Sequence, residues 1–177
     1  MSTAVLNRVI VRDEKIEKAI WVSFFVLATA FGAQIKIPLP FTPVPLTLQT
    51  FFVLLSGAML GKKSGGISQL LYFLLGGVGF PLFTSAGALW GVTGGYIVGF
   101  VFASWFVGYL VEKKLNLFFA FILGDFILLF CGAVNLSFFV GGIKNAVVLG
   151  VFPFIAGDLV KIFAAASVVN IYKNFRR

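Results

Sequence analysis

Histidine is absent from these 177 residues, cysteine occurs once, and only 6 residues are Asp or Glu. With no histidine, one thiol and no cluster of carboxylates, the chain offers no set of groups for metal-assisted or acid–base chemistry. An enzyme is therefore not expected, nor a cofactor or metal. Cys131 alone cannot close an internal disulfide, and its apolar neighbours suit a buried thiol. Polar stretches are short as well, so these residues leave no room for a nucleotide-binding domain. Gly61-Lys62-Lys63-Ser64 only imitates a phosphate loop, because Lys63 stands where Ser or Thr must follow the Gly-Lys pair. It reads as a turn, and any uphill transport must draw on a partner chain or an ion gradient.

Apolar residues fill the space that charge leaves: 60% of the chain is hydrophobic, 11% is charged and 23 residues are Phe. A soluble domain does not carry that composition. Runs bounded by charge, Gly or Pro give six candidate spans, namely 19–35, 47–60, 66–80, 94–111, 117–134 and 146–171. The second and third fall short of the roughly 20 residues that cross a bilayer unaided. Continuously apolar runs exclude the alternating strands of a barrel. The expected fold is an all-α integral membrane protein, a compact bundle of six transmembrane helices whose outer loops lid a substrate pocket. A segment 1–18 would precede the membrane domain 19–171, and a basic tail 172–177 would follow it.

Six spans place both termini on one side, and the cations identify that side. Arg8, Arg12, Lys15, Lys18, Lys62, Lys63, Lys113, Lys114, Lys173, Arg176 and Arg177 fall together, with only Lys36 and Lys144 opposite, so both termini are expected in the cytoplasm of a plasma-membrane protein. Topology thus accounts for the net charge of +8, with no nucleic-acid partner. A basic start, an apolar run and Ala28-Thr29-Ala30 also imitate a cleavable signal, but its removal would leave five spans and spoil the charge pattern.

Function is most legible at Asp158 and Lys161. Opposite charges at i, i+3 share one helix face, and ionisable groups at membrane depth usually face a bundle interior or a polar ligand. They lie three to four turns below the start of the sixth run. An ion pair between helices is the plainer alternative. Between the first two runs, Ile37 to Pro45 holds four of the six prolines and cannot be helical. This stiff loop either lids a pocket, with Phe41 as a plug, or merely joins two helices. The segment 81–93, carrying Trp90, could close the same mouth. Gly91, Gly95, Gly99 and Ala103 form a small-residue stripe that admits a neighbouring helix or a ligand, with Tyr96 beside it. Ala28 and Gly32 repeat the pattern as a docking face for a partner helix. Asp125, midway along the fifth run, could pair with Lys161, be protonated, or line the interior with Asn135.

Three segments, IPLPFTPVPLTLQT at 37–50, TGGYIVGF at 93–100 and FIAGDLVK at 154–161, closely resemble the BioY family, the biotin-specific substrate-binding components of energy-coupling factor transporters. They occur in the family's order over nearly the whole chain. The resemblance implies biotin captured from outside, a transmembrane coupling subunit and two ATP-binding-cassette ATPases as partners. It also implies that Asp158 accepts from a ureido N–H and Lys161 donates to the ureido carbonyl; Lys161 could instead meet the ligand carboxylate. Phe41, Tyr96 and Trp90 would enclose the apolar part of the ligand, and Gln49 and Thr47 would make polar contacts near the entrance. A solitary ion-coupled carrier using Asp125 or Asp158 is the alternative, and a packing-only scaffold the plainest one.

Overall fold

A computed structural model of the chain describes residues 14–85 and 87–175. Most of segment 1–18, with Arg8 and Arg12, and the tail residues Arg176 and Arg177 lie outside the described residues. Among the described residues, six helices and one two-stranded ribbon follow one another as α1 (Glu14–Gln34), β1 (Lys36–Ile37), β2 (Leu46–Thr47), α2 (Gln49–Gly77), α3 (Gly94–Glu112), α4 (Leu117–Ser137), α5 (Ile143–Gly150) and α6 (Phe152–Phe175). Of these, α1, α3, α4 and α6 are long and apolar enough to cross a bilayer. Ile16, Ile20, Phe24, Leu27 and Phe31 on α1, and Phe119, Leu123, Phe126 and Phe130 on α4, are exposed. Their spacing of three and four sets each group on one face, and lipid is the solvent that tolerates such faces. The chain is a multi-pass membrane protein.

The second and third apolar runs are the two arms of α2, folded back on each other at Gly61. Gly61 takes φ 77° and ψ 174°, a conformation open in practice only to glycine, and one residue suffices for the turn. Gln49, at the start of the first arm, donates to the Tyr72 hydroxyl near the end of the second at 2.7 Å. Between the arms lies a fully buried polar cluster. The Gln69 side-chain nitrogen approaches the hydroxyls of Thr29 and Ser56 at 3.2 Å and of Ser68 at 3.4 Å, and Ser56 pairs with Ser104 at 2.8 Å. Those contacts tie α1, both arms of α2 and α3 together where apolar surface drives no association, because lipid is as apolar as the helices.

The proline-rich segment is extended, as its composition requires, and it doubles back on itself: Lys36 pairs with Thr47 and Ile37 with Leu46 in an antiparallel ribbon. The sixth run departs from expectation, since 146–171 is not one helix. It breaks at Val151 (φ −122°, ψ −61°) into α5 and α6, and Pro153 occupies the first turn of α6, where its missing N–H is no loss. The break moves Asp158 to six residues from the helix start, about 9 Å along the axis rather than three to four turns.

Packing runs α1 on α2, α2 on α3 and α3 on α4, with α6 closing the circuit between α4 and α2. The starts of α1, the Gly61 turn and the end of α6 meet at one end, where Glu14, Lys18, Leu60, Ser64 and Tyr172 line one cleft. At that same end Glu112 reaches Lys62 across 3.4 Å. The opposite, ribbon end holds β1–β2, the 81–93 segment and α5. Two members of the small-residue stripe, Gly95 and Gly99, form a packing seam with α4, whereas Gly91 precedes α3 and meets only carbonyls of its own loop. A Cβ at Gly95 would collide with Asn135 and the Cys131 carbonyl, and one at Gly99 would press against Cys131 and Leu128.

Candidate functional site

A cavity of about 50 Å³ lies toward the ribbon end, smaller than the usual small-ligand site, so its walls must part to admit a ligand of any size. Its polar side is built by α2 and α6. Asp158 lies in the second turn of α6, 3% exposed, and Lys161 follows one turn later. The Lys161 ammonium donates to Asp158 Oδ1 at 2.8 Å and to Thr50 Oγ1 at 3.0 Å. Thr50 in turn approaches Asp158 Oδ1 at 3.4 Å. Spacing i, i+3 sets both charges on one helix face, and α2 supplies the hydroxyl that completes the triangle. An ammonium, a hydroxyl and a carboxylate side by side can meet a ligand that carries both N–H donors and a carbonyl acceptor.

Gln49, at the head of α2, and Thr47, at the end of β2, also line the cavity, and the Thr47 hydroxyl donates to Gln49 Oε1 at 3.1 Å. Apolar walls come from Ile97 and Phe100 of α3, Leu128 and Leu129 of α4, and Phe154 of α6. Tyr96 joins them through its ring, while its hydroxyl donates to the Gly150 carbonyl at 2.6 Å and so fixes the α5–α6 break. At the ribbon end the wall is made by Val44 and Pro45 on one side and Thr84 and Thr93 on the other. The two loops meet where Lys36 donates to the Thr84 carbonyl at 2.8 Å, and Thr42 fastens the ribbon to α5 through the Leu149 carbonyl at 2.6 Å.

Asp158, Lys161, Tyr96, Gln49 and Thr47 thus come together around one cavity. Phe41 and Trp90 do not line it: they are 60% and 83% exposed on the loops beyond it. Gly95 faces α4 instead. Of the expected docking pair, Ala28 is half-buried, and Gly32 is buried so tightly against Leu48 and Gln49 that a Cβ there would lie 3.0 Å from both. Thr50, Phe100 and Phe154 went unnoticed in the sequence, although each had a signal. Phe154, Asp158 and Lys161 recur at i, i+4, i+7, Phe100 lies one turn from Tyr96, and Thr50 adjoins Gln49.

The described helices form a membrane-embedded bundle around a cavity with an ion pair on one side and mixed polar and apolar walls elsewhere. The chain belongs to the BioY family, whose family model matches residues 3–177. It is 47% identical over 94 residues to the biotin transporter BioY of Thermotoga maritima, covering 51% of this chain and 54% of that protein. To the probable biotin transporter BioY of Lysinibacillus sphaericus it is 44% identical over 97 residues, 53% of this chain and 48% of that one. The matched stretch thus spans about half the length of these curated relatives. The fold is shared with the crystal structure at 2.1 Å of the S-component for biotin from an ECF-type ABC transporter. That match has a TM-score of 0.83 and 24% identity, and covers 93% of this chain and 95% of the other.

Proposed function

We propose that this chain captures biotin from outside the cell and delivers it for uptake driven by partner subunits, a transmembrane coupling protein and two ATP-binding-cassette ATPases. The triangle of Thr50, Asp158 and Lys161 in a cavity that also has apolar walls carries this reading. A ureido ring presents two N–H donors and one carbonyl. Asp158 would accept from an N–H, and Lys161 would donate to the carbonyl or, in the reversed pose, to the ligand carboxylate. The thioether ring and valeryl chain would lie against Phe100, Leu128, Leu129 and Phe154. Phe41 and Trp90 would reach the ligand only after the loops shift inward.

In this reading α1, the two arms of α2, α3, α4 and α6 are six spans. Lys15, Lys18, Lys62, Lys63, Lys113, Lys114 and Lys173 gather at the Gly61 end, which favours a cytoplasmic position for that end and an outward-facing cavity with the ribbon and the 81–93 segment as its lid. A docking partner would meet Ala28 with the exposed Phe24 and Phe31 on α1. Titration calorimetry on the purified protein tests the site: biotin binds saturably, and Asp158→Asn and Lys161→Ala each weaken it by about tenfold or more. Wild-type affinity in both folded variants would remove the pair from the site. Asp125, which has a buried oxygen without a hydrogen-bond partner, favours a second reading as a solitary ion-coupled carrier. Uptake that persists without ATPases and collapses with the ion gradient would establish that one.

A further inference from the structure

The cavity beside Asp158 and Lys161 measures about 50 Å³, too little for a bicyclic head and its valeryl chain together. Directly beyond it, between the ribbon and the 81–93 segment, lies a second cleft of about 580 Å³. Pro45, Thr84 and Thr93 belong to both, so one shared wall separates them. A ligand that sets its head against the triangle of Thr50, Asp158 and Lys161 from the ribbon end therefore trails its tail through that wall into the outer cleft.

Lys36 is the one ionisable side chain among the described residues that line this cleft. Its register in the ribbon puts it there: Lys36 pairs with Thr47, itself part of the inner cavity wall, and paired Cα atoms lie about 5 Å apart. The ammonium donates to the Thr84 carbonyl at 2.8 Å, which uses one of its three N–H donors. Among the described residues no Asp or Glu lies at the ribbon end to take the others: Glu14, Glu17 and Glu112 are at the Gly61 end, and Asp125 and Asp158 stand within α4 and α6. A cation with donors to spare at the mouth of a cavity suits an anion.

We infer that Lys36 is a specificity-determining residue, which reads the carboxylate at the tail of the ligand while the triangle holds the ureido head. The inference rests on biotin capture by the cavity described above and selects one of its two poses, with Lys161 on the ureido carbonyl. The ligand anion then stays in the exposed cleft, where it is spared the desolvation that the bundle interior would impose.

Biotinamide keeps the shape of biotin and carries no charge, so comparing the two isolates the carboxylate. In titration calorimetry at low salt, wild type should bind biotin about tenfold more tightly than biotinamide, a gap that narrows as added salt screens the pair. Lys36→Met should close the gap to within about twofold by weakening biotin alone, and Lys36→Arg should keep it. A gap that survives in the Met variant overturns the proposal, as does a wild type that binds both ligands alike. Equal weakening of both ligands, or a Met variant that fails to fold, marks Lys36 as a mere fastener of Thr84 and overturns it too. A wild type that binds neither ligand would overturn the proposed function itself, and this inference with it.

Discussion

Thr50 on α2 accepts a hydrogen bond from Lys161 on α6 at 3.0 Å, across 111 residues of chain. The contact joins the N-terminal hairpin to the last helix at the point where the cavity is most polar. Thr50→Val keeps the shape and deletes the acceptor. It should lower stability by about 1–2 kcal/mol, because Lys161 is left with a donor unmatched. It should also weaken biotin binding, and thermal unfolding in detergent together with calorimetry would measure both effects.

Tyr96 combines two tasks that a single substitution can separate. Tyr96→Phe keeps the ring in the cavity wall and orphans the Gly150 carbonyl. The expected outcome is a loss of about 1–2 kcal/mol in stability with biotin affinity less affected than in Tyr96→Ala. Equal affinities in the two variants would show that the ring does not touch the ligand.

Gly61→Ala forces a side chain into a backbone conformation reserved for glycine. A cost of about 1–3 kcal/mol is expected, read as a lower unfolding temperature. Wild-type stability would mean that the arms of α2 turn some other way.

Gly95→Val should separate α3 from α4, because the added atoms meet Asn135 and the Cys131 backbone. Overpacking of this kind costs about 1–3 kcal/mol or more. Unfolding temperature and chromatographic profile would report it.

Phe41→Ser and Trp90→Ala alter exposed loop residues outside the cavity wall. Stability should stay within about 0.5 kcal/mol of wild type. A large fall in biotin affinity in either would demonstrate that the loop closes over the ligand.

The residues that told most in advance were those whose chemistry conflicts with their surroundings. Asp158 and Lys161 stand out in an apolar run because lipid makes unexplained charge costly, and the structure places both at one cavity. Four prolines ruled out a helix at 37–45, though they could not show that the segment would return to pair with itself. Side-chain direction was harder to read. Gly95 and Gly32 looked open to a ligand or a partner, yet small residues suit any close neighbour, and α4 and the head of α2 fill those spaces. Phe41 and Trp90 were conspicuous aromatics, but composition does not reveal which way a loop residue faces. The break at Val151 escaped notice because apolar residues continue through it, with only Gly150 and Pro153 as punctuation. Thr50 carried only a faint mark, its place beside Gln49, and a segment with several threonines does not single one out until a distant lysine selects it.

The buried amide of Gln69 bears on how the molecule is made. While the chain is being inserted, that amide would sit in hydrocarbon unsolvated until Thr29, Ser56 and Ser68 stand around it, and those hydroxyls come from α1 and both arms of α2. Satisfying that amide nitrogen therefore couples the docking of α1 to the closing of the α2 hairpin, so the N-terminal half is expected to assemble cooperatively.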